Sequence, residues 1–101
     1  MATTSKTLFR GAATTTVGTS LYAVPSATTT IVTNIAVTNT AASAGTYTLG
    51  LGGTNFATTV TVGANDTTLI DLKQALTATQ TITGGASATT INFHISGVEI
   101  A

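Results

Sequence analysis

The chain has 101 residues, a formal net charge of zero and only 6% charged residues, against about 25% in an ordinary soluble domain. It contains no cysteine, which excludes a disulfide framework and a thiolate zinc site. Three Lys and Arg residues cannot form the basic stripe of a phosphate-tracking binder, and the apolar runs are too short for a membrane-spanning helix. Neither nucleic acid nor membrane is therefore an expected partner.

The opening Met1–Arg10 lacks the apolar stretch of a secretory leader. Leu8 and Phe9 stand there between Lys6 and Arg10. This pattern reads as an extended N-terminal arm over residues 1–13 that docks on a partner surface through Lys6, Leu8, Phe9 and Arg10. Residues 14–101 are then the folded body.

Alternation governs that body. Leu21–Val24 is a short strand closed by the turn Pro25–Ser26. Residues 28–40 predict the longest strand, with Ile31, Ile35 and Val37 on one face and Val32 and Ala36 on the other. Two partly apolar faces make it a central strand. Thr46–Leu51 and Phe56–Val62 predict a hairpin around Gly52–Gly53, with Tyr47, Leu49, Leu51, Phe56, Val60 and Val62 inward. Residues 67–72 form the next strand. Asp71–Leu76 has helical leanings and could close as a single turn. A short strand follows at 80–83, then a loop at Gly84–Ser87. The last strand starts at Thr89 with Ile91, Phe93 and Ile95 on one face. Val98 and Ile100 fall one residue out of phase, so a β-bulge is expected at Gly97.

About seven or eight short strands at this spacing predict an all-β fold: a single antiparallel β-sandwich, jelly-roll or immunoglobulin-like. Threonine fills 27 positions, and its branched side chain suits a half-buried pleated surface. A surface with so few charges has little field to repel copies of itself. A small core without disulfides or metals gains burial by association, so a homo-oligomer or a bound partner surface is expected.

No residues assemble into a catalytic pattern. His94, the only histidine, alternates out of the Ile91–Phe93–Ile95 face, and no serine sits in a Gly-x-Ser-x-Gly elbow. Asp66 reads as a turn cap, and Asp71 with Lys73 as a surface pair. Glu99 reads as solvent-facing or as pairing across a subunit contact. These acids are too few for a calcium shell. The Gly50-x-Gly52-Gly53 and Gly84-Gly85 pairs open no helix, so they read as hairpin glycines rather than a phosphate cradle. The Thr-x-Thr triplets lack the fixed period of a solenoid. No enzyme activity, metal or cofactor is expected.

Three segments resemble small virion proteins of tailed bacteriophages: Leu21–Pro25 running into Thr28–Asn39, then Leu69–Gln74, and the ending Phe93–Ile100. The resemblance implies a non-enzymatic structural protein of the virion. A homotrimeric capsid decoration (cement) protein on the outer shell is the first expectation, with the major capsid protein as partner of the arm. A tail or fibre-tip module that binds a host receptor or glycan is the alternative.

Overall fold

A computed structural model describes residues 3–101 of the chain. It contains eight strands: β1 (Thr3–Ala12), β2 (Thr19–Ala23), β3 (Thr29–Asn39), β4 (Gly45–Leu51), β5 (Thr54–Val62), β6 (Thr67–Leu76), β7 (Thr81–Ala86) and β8 (Ile91–Ile100). They form two four-stranded antiparallel sheets. Sheet A has the order β1-β8-β3-β6 and sheet B the order β2-β7-β4-β5. The pairs β1–β8, β2–β7, β3–β6 and β4–β5 are nested, as though one long hairpin were rolled up on itself. That order is a jelly roll, and it decides between the two sandwich types left open by the strand count.

The core lies between the sheets. Val32, Ile35, Val37, Ile91, Phe93 and Ile95 come from sheet A, and Tyr47, Leu49, Val62 and Ile82 from sheet B. Tyr47 meets Phe93 edge to face, with centroids 6.4 Å apart. Among the described residues every buried side-chain nitrogen or oxygen has a hydrogen-bond partner. Asn39 shows how one end of the sandwich is closed. Its amide nitrogen donates to the Ser43 and Gly63 carbonyls at 2.8 and 3.3 Å, and its oxygen accepts from the Ala41 N–H at 3.0 Å. One buried side chain thus joins the β3–β4 and β5–β6 connections.

Several expectations are corrected. The residue 1–13 arm is not an arm over its described length. Residues 3–12 are β1, paired antiparallel with β8 from Thr3 opposite Ile100 to Ala12 opposite Asn92. Leu8 is buried at 8% exposure and Phe9 packs on the core, so β1 belongs to the body. Met1 and Ala2 lie outside the described residues. Asp71–Leu76 makes no helical turn; it continues β6, since pairing with β3 outweighs a weak local propensity. Gly84 and Gly85 lie in β7 rather than in a loop. A Cβ on Gly84 would meet Leu21 and Leu49 of its own sheet at 2.9 Å and Phe93 of sheet A at 3.2 Å, so the missing side chain leaves room for all three.

The bulge expected in β8 lies in its neighbours. β8 runs straight, while β1 carries the extra residue Leu8 and β3 the extra residue Thr33 beside Ser96. β6 adds a further one, with Leu72 and Lys73 opposite Thr33. The bulge at Thr33 reverses the parity of β3. Val32, not Ile31, is buried with Ile35 and Val37. Val98 pairs with Ile31 on the outer face, and Glu99 turns inward. In β5, register shifts beside Leu49 free Phe56 from the ladder, and it is 43% exposed instead of inward.

Candidate functional site

Lys6, Leu8, Phe9 and Arg10 do not converge on one surface. Leu8 and Phe9 serve the core. The Lys6 ammonium lies 3.4 Å from both carboxylate oxygens of Glu99. Arg10 is exposed on the outer face of sheet A, directly opposite His94. The strand alternation explains this split: Leu8 and its neighbours share a β-bulge, and Arg10 falls on the opposite face from Leu8.

His94 stands on that outer face as expected, between Arg10 on β1 and Ala36 on β3. Asp71 and Lys73 are exposed on β6, and the Asp66 carboxylate accepts from the Thr67 N–H at 2.8 Å, a turn cap. Gly52 and Gly53 supply positive φ at the β4–β5 turn. Among the described residues no three His, Asp or Glu side chains gather as a metal site. No helix there is long and apolar enough to cross a membrane.

Glu99 has a larger role than either sequence reading gave it. Its carboxylate accepts a hydrogen bond from the Tyr22 hydroxyl, which also lies 2.9 Å from the Thr30 hydroxyl. Tyr22 belongs to sheet B; Glu99, Thr30 and Lys6 belong to sheet A. The cluster therefore fastens one sheet to the other. The Tyr22 hydroxyl, and after it the Lys6 ammonium, hold the Glu99 carboxyl below the ordinary glutamate range, against an opposing effect of burial. Burial first, and then the Glu99 bond, push the Tyr22 hydroxyl up.

Charge is segregated between the sheets. Lys6, Arg10, Asp71, Lys73, His94 and Glu99 all lie on strands of sheet A, and Asp66 precedes β6. Sheet B carries no Asp, Glu, Lys, Arg or His. Its outer face presents Thr46 beside Thr61, and Ser20 beside Thr83. The signal is legible in the sequence, because residues 11–65 contain no ionisable Asp, Glu, Lys, Arg or His. Only the strand order turns that run into a face.

No protein-family model, no curated protein and no solved structure matches this chain. The site must therefore be judged on its own chemistry. The most apolar concave feature among the described residues is a cleft of about 390 Å³ between the edge strands β5 and β6. Leu51, Phe56, Ile70 and Leu72 give it an apolar lining, and Thr54, Asp71 and Gln74 border it. Its size is that of a small-ligand site. Sequence reasoning missed it because it placed Phe56 in the core.

Proposed function

We propose that this chain is a structural protein of a virus particle of the tailed-bacteriophage kind, a decoration protein that lies on the outer shell. The observation that carries the reading is the charge-free outer face of sheet B. A face without ionisable groups can be pressed against another protein without stranding a desolvated charge. Its threonine hydroxyls donate and accept, so they adapt to a partner's polar groups. The charged face of sheet A is then left to water. The jelly roll adds support by analogy alone, since viral capsid domains are among its users. The segments that resemble virion proteins fall on β2, β3, β6 and β8. Docking through the face of sheet B replaces docking through an arm.

The test is the copy number of the chain in gradient-purified particles, measured by quantitative mass spectrometry against the major capsid protein. Comparable counts are expected; absence from the particle overturns the reading. Thr46→Lys with Thr61→Lys places charge on the docking face and should cut particle binding about tenfold or more. Arg10→Glu, on sheet A, should leave it unchanged. Unimpaired binding by the double lysine variant would refute docking through sheet B.

A second reading, a tail or fibre-tip module for a host receptor or glycan, is favoured by one observation. Phe56 is exposed at a cleft bordered by a carboxylate and an amide. A sugar ring could stack on Phe56 and give its hydroxyls to Asp71 and Gln74.

A further inference from the structure

We infer that the free edge of β6 is a self-recognition site, and that two copies of this chain pair there about a two-fold axis at Leu72. This goes beyond the particle reading and stands independently of it.

β6 is the last strand of sheet A among the described residues, so its outer edge offers unpaired backbone groups to another strand. Leu69, Asp71, Lys73 and Ala75 are exposed and Thr68, Ile70 and Leu72 half-buried, with Gln74 also exposed just past the Leu72–Lys73 bulge. In an antiparallel pair of identical strands, residue i meets residue S − i, and S must be even to keep outer side chains opposite outer ones. Four registers near the strand centre satisfy this. Centring on Ile70 sets Asp71 against Leu69 and Lys73 against Thr67, so neither charge finds an opposite charge. Centring on Asp71 sets two carboxylates against each other, and centring on Lys73 sets two ammonium groups against each other. Centring on Leu72 places Asp71 opposite Lys73 of the second copy, twice by symmetry. It also places Leu69 opposite Ala75 of the second copy, again twice. Leu69 is 76% exposed in the single chain. Ala75 ends an outer row that runs through Ile31 and Val98, so the new neighbour lies next to an apolar surface. Opposite charges and apolar pairs directly across a strand pair stabilise it, and like charges oppose it.

The same edge holds the β5–β6 cleft, whose lining includes Ile70 and Leu72. A second copy on β6 brings its own cleft alongside, so that the two exposed Phe56 side chains lie on one covered side. Edge charges ordinarily block pairing between sheets. A lone lysine does that. An Asp-x-Lys triplet instead complements itself about its middle residue, which favours a second copy over an unrelated strand. Strand pairing of this kind is two-fold by construction, so a dimer takes the place of the trimer expected of a decoration protein.

The experiment is sedimentation velocity of the full chain over a concentration series, with charge exchange on β6. The unmodified chain should be a dimer. Asp71→Lys and Lys73→Asp, each exposed in the monomer, should each raise the dimer dissociation constant about tenfold or more. The double exchange D71K/K73D should restore it. An equimolar mixture of the two single variants should form a heterodimer, since each lysine then meets an aspartate. A monomer at every concentration, a trimer, or a dimer indifferent to these exchanges would overturn the inference. A monomer whose Phe56 resonances shift on adding an oligosaccharide would give the cleft to a sugar instead.

Discussion

At the scale of single residues, the tightest constraint is the close approach of β3 to Gly97. A Cβ built there would lie 2.3 Å from the Ile31 carbonyl oxygen and 2.9 Å from Leu8 Cδ1. The first of these is backbone, which cannot swing aside as a flexible side chain can. Gly97 sits where β1 and β3 both bulge against β8, so the bulges and the missing side chain are one device. Gly97→Ala should therefore cost about 3 kcal/mol through overpacking. For a chain of this length that lowers Tm by roughly 10–20 °C, which calorimetry would read directly. A variant of unchanged Tm would mean that β3 relaxes away from β8 without loss. The sequence marked Gly97 as special, because Ile91, Phe93 and Ile95 lose their phase there. It could not say which strand absorbs the extra residue. That depends on the neighbours, and a single strand's pattern does not contain them.

At the scale of elements, β1 is where local pattern and tertiary structure part most clearly. Thr3–Ala12 lacks the repeated apolar alternation of β3 or β8, and two large apolar residues stand side by side in it. The bulge at Leu8 makes both useful, turning Leu8 and Phe9 toward the core from adjacent positions. Deleting residues 1–12 should then expose the edge of β8 and open the core, leaving a chain that is unfolded or aggregates. Leu8→Ala is the milder version and should cost about 3 kcal/mol in urea denaturation. A truncated chain that keeps a cooperative transition at the original midpoint would restore β1 to the status of an arm. The same mechanism explains the other mismatches. β3 and β5 also change phase at bulges, which swaps Val32 for Ile31 and releases Phe56. Strand existence, the central place of β3 and the outward setting of His94 were legible, because each rests on unbroken alternation. The β5–β6 cleft and the β6 edge were not, because each needs two elements brought together.

At the scale of the whole molecule, the two sheets are held by apolar packing in the middle and by the Tyr22–Glu99 cluster at one end. This cluster makes the sandwich responsive to pH in a predictable direction. The folded state lowers the Glu99 pKa, so the stability tied to its ionised form is complete above the ordinary value of 4.5. It is lost as the pH falls through the depressed folded value. The folded state raises the Tyr22 pKa, so its contribution is complete below 10.0 and is lost as the pH rises through the raised value. Stability should therefore show a plateau between these limits with a shoulder on each side. Glu99→Gln keeps an acceptor for the Tyr22 hydroxyl but removes the carboxylate. Its Tm should be lower than that of the parent on the plateau, and the two curves should converge on the acid side. Tyr22→Phe should weaken the acid shoulder and abolish the alkaline contribution of that hydroxyl. The Lys6 ammonium is half exposed, so added salt should change the plateau little. Thermal unfolding followed from pH 3 to 11 separates these effects. A Glu99→Gln curve parallel to the parent at every pH would show that the sheets are held by the core alone.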